Sequence, residues 1–472
     1  MVADKKTHVL MVSAPLQGHL NPILKFAKSL LSRGIHVTIA TTDVARSRML
    51  KTTATATAAP SIHLEFFSDG LDLEFNRESN YDQWFESLGT KGRENLSNLI
   101  TKLSQHTKFS CLILHQFMPW FIPLGARHQI PCAVLWIQPC ALYSIYYRFF
   151  NKLNPFPCLH GSRDLPVELP GLPLLGLDDL PSLFLPNSPR CFTNILSVFF
   201  KAIRDDVRWV LGTSFEELEG EVVASMAGLR PTVRPVGPLV SPFLLGREED
   251  DTKGGVKNVD LWKADESCLR WLDGRATGSV VYVSFGSIIV LSRRQIENVA
   301  EGLKRSGKPF LWVLKKGSSE KEAVELPAGF LEDVGGRGLV VNWCSQEQVL
   351  KHGAVGCFLT HCGWNSTLET IVTGVPVIAF PEWTDQPTNA KLLTDVFKVG
   401  VRMQKGDDGV VSSEEVERCI REMTDGPEAE AMAKRAAELK EAAKRAVEDG
   451  GSSHRNLDIF IADIVGKERV DE

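Results

Sequence analysis

Two histidines in this sequence stand where a turn meets a helix, and each could do chemistry there. His19 follows Gly18 and precedes a helical pattern beginning near Asn21. The positive end of a helix disfavours imidazolium, so such a ring stays neutral, the form that can take a proton. A lone histidine in a turn is more often only a turn residue, and position alone does not assign it a role. His361 lies in FLTHCGWNSTLETIVTGVPVIAFPEWTDQ, residues 358–386. There a strand ends at Thr360, a glycine turn follows, and a helix begins near Asn365. The free backbone N–H groups and positive dipole end of such a helix suit a diphosphate, and His361, Asn365 and Ser366 would add side-chain donors. The local alternative is a capping box: Ser366 and Glu369 form S-x-x-E, which would satisfy the helix start without any ligand.

Other phosphate, cofactor and metal signatures fail. No G-x-G-x-x-G opens a helix after the first strand, which counts against a dinucleotide-dependent dehydrogenase. Gly302–Pro309 (GLKRSGKP) nearly matches a phosphate loop, but Pro309 replaces the Ser or Thr and the segment closes a helix instead of opening one. No Asp-x-Asp pair offers to hold a metal against a diphosphate, and the acidic run Glu248–Asp251 reads as a solvated cluster in a linker. The ten cysteines show no C-x-x-C pair or regular spacing, so they read as reduced, mostly buried thiols, neither a disulfide framework nor a zinc site. Neither a metal nor a bound cofactor is expected.

The elements that would position these residues alternate between strand and helix. His8–Pro15 reads as a buried strand, Asn21–Ser32 as a helix and His36–Thr42 as a strand; Cys111–Leu114 and Cys132–Ile137 are further apolar runs of strand length. Arg234–Gly255, rich in proline, glycine and acids, reads as a linker. Strand-like runs then resume at Ser279–Phe285, Phe310–Leu314, Gly338–Asn342, Gly356–Thr360 and Val375–Phe380, with the helical pattern Arg294–Arg305 among them. The class expected is α/β, with two doubly wound parallel sheets and a ligand cleft at the carboxyl ends of the strands. Ser453–Val465 reads as a last helix. The expected divisions are residues 1–240, a linker at 241–257, a second domain at 258–450 and the terminal helix at 451–472.

Length and charge agree with that reading. A chain of 472 residues is too long for one ordinary core, and 43% hydrophobic with 24% charged residues is normal globular composition. The net charge of −5 gives no reason to expect nucleic acid or an anionic membrane as partner. The N-terminus shows no secretory pattern. The longest uncharged stretch, Gln129–Tyr147, is interrupted by Pro131 and Pro139, so neither export nor a membrane span is expected, and the location expected is cytoplasmic.

The segment Trp343–Gln386 resembles, from its first Trp to its last Gln, the signature box of plant UDP-dependent glycosyltransferases of glycosyltransferase family 1. The resemblance extends to PLQGHLNP near the start, to SFGS at Ser284–Ser287 and to GGSSHRN at Gly450–Asn456. The tract VFFKAIRDDVRWVLGTSFEELE and the ending resemble the subgroup forming glucose esters of indole-acetic and phenolic acids. The resemblance implies GT-B architecture, two facing Rossmann-like domains with the C-terminal helix crossing back to the first. It implies an acceptor-binding first domain, a UDP-sugar-binding second domain, and a monomer. UDP-glucose would be a co-substrate and a small aromatic molecule the acceptor.

Carried over by position, Trp343 would stack on uracil, while the Cys344 backbone and the Gln346 side chain meet base and ribose. Glu369 would accept from the ribose hydroxyls. Ser287, His361, Asn365 and Ser366 would hold the diphosphate, and Trp364, Asp385 and Gln386 the sugar, with Gln386 biasing the donor toward glucose. The chemistry is consistent: a helix dipole and an imidazole can stabilise a leaving diphosphate without a metal, and carboxylates are pure acceptors for sugar hydroxyls. His19 would be the general base for an inverting attack on the anomeric carbon. Gln17, Phe117, Trp120 and Gln138 are candidates to line the acceptor pocket.

One position departs from the family pattern. In CLILHQFMPW, His115 occupies the place of the Asp that usually supports the base. A neutral His cannot stabilise an imidazolium as a carboxylate does. A carboxylic acceptor, pKa about 4, is already ionised at neutral pH, whereas a phenol near pKa 10 needs roughly 4 kcal/mol to ionise at pH 7. Aromatic carboxylates and acidic polyphenols are therefore the acceptors least harmed. Two alternatives stand beside O-glucosylation: C-glycosylation of acidic polyhydroxy aromatics, and a nucleotide-sugar-binding protein without catalysis.

Overall fold

The computed structural model describes residues 7–52, 62–77, 79–159, 164–186, 188–247, 265, 267–286, 289–314 and 326–466. The chain divides into two compact units, one of residues 1–176, 183–261 and 445–472, the other of residues 177–182 and 262–444.

In the first unit, β1 (His8–Val12), β2 (His36–Thr42), β3 (Ile62–Phe67), β4 (Phe109–His115), β5 (Cys132–Trp136), β6 (Trp209–Gly212) and β7 (Val233–Pro235) form one sheet. Their order is β3-β2-β1-β4-β5-β6-β7, and every pairing is parallel. Val9–Val12 are buried on both faces, as a parallel strand covered by helices requires. The strand order reverses between β1 and β4, and at such a switch point the loops beyond the strand ends diverge and leave a crevice. His19 lies just after β1 and His115 is the last residue of β4, so both belong to that place. The terminal helix Ser452–Val465 is part of this unit. Leu457, Phe460 and Ile464 enter its core, and the Trp209 Nε1–H donates to Asp463 over 3.0 Å.

In the second unit, β8 (Val280–Ser284), β9 (Phe310–Val313), β10 (Gly338–Val341), β11 (Val355–Thr360), β12 (Val377–Ala379) and β13 (Gly400–Arg402) run parallel in the order β10-β9-β8-β11-β12-β13. Apolar clusters cover both faces. The switch point lies between β8 and β11, beyond which come Gly286 and His361.

Several expectations are corrected. The first helix spans Gln17–Leu31, so His19 sits inside its first turn, its N–H donating to the Leu16 carbonyl over 3.0 Å. Pro22 occupies the second turn of that helix, at the cost of one intrahelical bond. β3, β6, β7 and β13 are strands the apolar runs do not reveal. β7 overlaps the start of the stretch read as linker from Arg234, and it tolerates Pro235 because it is the sheet edge, where a missing N–H costs no ladder bond. Of that stretch, residues 248–255 lie outside the described residues. The phosphate-loop look-alike is a helix end, with Gly307 at φ +70° closing Arg293–Ser306. The ten cysteines are free, nine of them buried. Among the described residues, no helix is long and apolar enough to cross a membrane.

Candidate active site

In the first unit the two imidazoles at the switch point stack. The ring centroids of His19 and His115 lie 4.3 Å apart at 28°, so they meet face to face and not through a hydrogen bond. Nδ1 of His19 and both nitrogens of His115 are buried with no hydrogen-bond partner among the described residues. Burial lowers His19 to about 4 and His115 well below the usual imidazole range, His19 adding to the latter shift. Both rings are therefore neutral at physiological pH. Leaving such groups unpaired costs about 1–3 kcal/mol each, a loss more typical of a reaction site than of a packing core.

Phe117 follows at φ +65°, a left-handed conformation uncommon outside glycine, and its centroid lies 6.5 Å from each imidazole. Gln116, which sequence reasoning passed over, accepts the Ile137 N–H on Oε1 over 3.0 Å and ties the end of β4 to the turn after β5. Gln138 is next in that turn, buried, its Oε1 unpartnered. Trp120 belongs to a different group. Its indole packs against Gly89, where an added Cβ would lie 2.8 Å away, and it neighbours Phe85 at 5.9 Å. The side chain of Gln17 is not among those described, and Ser287 likewise lies outside the described residues.

In the second unit the helix after β11 spans Trp364–Thr373 with Gly363 as its N-cap, and no side chain caps it. Ser366 thus sits in the first turn, too far inside to be the cap, and the S-x-x-E box does not form. Instead Gln346 Nε2 donates to Ser366 Oγ over 2.9 Å and to a Glu369 carboxylate oxygen over 2.8 Å. Three residues separated in sequence are thereby gathered on one side of the helix. Half-buried Trp343 and buried Cys344 precede the helix Gln346–Lys351. With uracil on its face, Trp343 is expected to contribute about 1–3 kcal/mol, the range for base stacking on an aromatic ring. Trp343→Ala should weaken UDP binding accordingly in calorimetry, and an unchanged affinity removes Trp343 from the site.

His361 is half-buried, its Nδ1 fully so, and desolvation lowers it to about 4, the Ser284 backbone opposing the shift. Its ring is pinched between two glycines. A Cβ on Gly286 (φ +76°) would stand 2.7 Å from the ring, and one on Gly363 only 2.5 Å from Nε2. Next to it, Cys362 holds φ +63°. Trp364 is buried beneath this turn. Asn389 Nδ2 donates to the Cys362 carbonyl over 2.8 Å and to Asp385 over 2.7 Å, binding the His361 turn to the Asp385 loop. Gln386 accepts the N–H groups of Glu382 and Trp383 on Oε1, over 2.9 and 3.0 Å, which fixes its amide oxygen on the loop.

Comparison with known proteins gives the family. The family description "UDP-glucoronosyl and UDP-glucosyl transferase" matches residues 263–437. The chain is 48% identical to UDP-glycosyltransferase 84B1 of Arabidopsis thaliana over 98% of each chain. It is 40% identical to a gallate 1-beta-glucosyltransferase of Quercus robur, covering 98% of this chain and 91% of the relative. The crystal structure of Os79 from O. sativa in complex with UDP superposes with a TM-score of 0.84 at 32% identity, over 97% of this chain and all of that one. With its two doubly wound parallel sheets, the chain has the GT-B fold and belongs to the UDP-dependent glycosyltransferases of family 1.

Proposed function

We propose that this enzyme transfers glucose from UDP-glucose, with inversion, to the carboxylate of a small aromatic acid, forming a 1-O-glucose ester. The observation carrying this reading is the stack of two neutral imidazoles where a base and its carboxylate would otherwise stand. A base near 4 would take a proton from a phenol near 10 at a cost of roughly 8 kcal/mol, whereas a carboxylic acid has already lost its proton.

The acceptor oxygen attacks the anomeric carbon from the face opposite the diphosphate. The glycosidic C–O bond breaks as the new one forms, and the electron pair leaves on the β-phosphate. The start of the helix Trp364–Thr373, with His361, Asn365, Ser366 and Ser287, stabilises that charge. Asp385 and Gln386 hold the sugar hydroxyls, Glu369 the ribose and Trp343 the uracil. Phe117, Gln138 and Gln17 line the acceptor side in residues 1–240, and residues 258–450 hold the donor. In this reading no metal or further cofactor takes part, and the enzyme works as a cytoplasmic monomer. The relative from Quercus robur, named for gallate, supports a phenolic acid as acceptor.

The test is a panel of matched aromatic acids and phenols with UDP-glucose, followed by mild alkaline treatment of the products. Esters, lost in base, are expected from the acids at rates well above those of the phenols. Faster transfer to phenols, with base-stable products, overturns the carboxylate reading, and products stable to both acid and base identify C-glycosylation of an ionised polyhydroxy ring.

A further inference from the structure

Between residues 176 and 183 the chain leaves the first unit, contributes six residues to the second, and returns. That excursion, Leu177–Ser182, is bonded to the loop bearing Thr384, Asp385 and Gln386. Ser182 and Thr384 exchange a reciprocal pair: the Ser182 N–H donates to the Thr384 carbonyl over 2.8 Å, and the Thr384 N–H donates to Ser182 Oγ over 2.8 Å. Thr388 Oγ1 donates to the Asp179 carbonyl over 2.7 Å. Arg402 anchors the same stretch, with one N–H on the Asp179 carboxylate over 2.6 Å and another on the Asp178 carbonyl over 2.9 Å.

What the reciprocal pair holds is unusual. Thr384 has φ +60°, and a β-branched residue in the left-handed region is an outlier that persists only where its surroundings enforce it. In that conformation its Oγ1 donates to one Asp385 carboxylate oxygen over 2.7 Å, while Asn389 Nδ2 donates to the other over 2.7 Å. The carboxylate is thus fixed from both sides before any sugar arrives, one clamp running to the His361 turn through Asn389 and the other to Ser182 through Thr384.

We propose that Ser182 is a positioning residue for the donor sugar, acting through the strained Thr384 on the Asp385 carboxylate. The inference rests on the reading that Asp385 meets the sugar hydroxyls. Preorganised acceptors gain because the ligand need not order them, and a net hydrogen bond is the scale of the effect. Donor-sugar recognition in the second unit then depends on six residues whose flanks on both sides belong to the first.

Calorimetry with UDP-glucose and with UDP separates the possibilities, since UDP lacks the sugar. Ser182→Ala is expected to weaken UDP-glucose about fivefold to tenfold while leaving UDP within about twofold, the range of one net hydrogen bond. Thr384→Val should reproduce that change, and Thr384→Ser, which keeps the hydroxyl, should restore most of the parental affinity. Asp385→Asn serves as the reference and should weaken UDP-glucose at least as much. If Asp385→Asn selectively weakens UDP-glucose and Ser182→Ala does not, the relay is wrong while the sugar assignment stands. If Asp385→Asn has no selective effect, the sugar assignment fails and the relay with it. Equal losses for both ligands in Ser182→Ala make Ser182 merely structural and overturn the proposal.

Discussion

Gly363→Ala is expected to lower kcat/KM for UDP-glucose by about 10² to 10³, the usual consequence of losing one donor to a developing oxyanion. The cause is steric. The added methyl would stand 2.5 Å from Nε2 of His361, closer than a real Cβ contact allows, so the ring has to shift from its place beside Gly286, where an added Cβ would likewise stand only 2.7 Å from the ring. The backbone itself accepts alanine, since Gly363 sits at φ −61° and ψ 140°. Replacing glycine by alanine at an N-cap costs up to about 1 kcal/mol, far too little to unfold a domain with two covered sheet faces. The variant should therefore keep nearly the parental thermal midpoint while turnover collapses. Parental turnover in a folded Gly363→Ala enzyme would show that the position of the His361 ring is of no consequence to the leaving diphosphate.

Part of this site is legible in the sequence because its signals are local. A strand ending at Thr360, a glycine turn and a helix start within six residues mark a candidate anion site, and the run VLMV in β1 has the length and burial of a strand covered on both faces. The capping-box alternative for Ser366 and Glu369 is local too: the spacing is right, and only the observed helix start at Trp364 shows that Ser366 lies too deep in the first turn. Other features leave no local trace. β3 (IHLEFF) carries two polar residues because it is a sheet edge, and β13 is three residues long. Ser182 reaches Thr384 across 202 positions, so no periodicity can connect them. That His115 replaces an Asp is visible in a segment of ten residues, but that it stacks on His19 instead of bonding to it appears only once the end of β4 meets the helix start after β1. Gly286 and Gly363 read as turn glycines, and their work of making room for an imidazole appears once the ring is in place.

The two stacked imidazoles carry the sharpest expectation. His19→Ala should reduce transfer to phenols by about 10² to 10⁴, the range for losing a general base, and transfer to carboxylates much less, because their proton is already gone. The pH dependence follows from the same burial. With His19 lowered to about 4, the base form persists on acidification, so the acid limb of phenol transfer should fall near pH 4. His115→Asp places a carboxylate where a neutral ring now stacks, within reach of the unpartnered Nδ1 of His19. An anion there favours the imidazolium, so it should move the acid limb upward and make His19 a stronger base. Phenol glucosylation should then rise relative to carboxylate glucosylation, even if the new buried charge lowers stability and total activity. A His115 that only fills space predicts otherwise: both acceptors change together and the acid limb stays where it was. The ratio of the two rates and the position of that limb, measured in parent and variant, decide between them, because neither depends on how much folded enzyme the preparation contains.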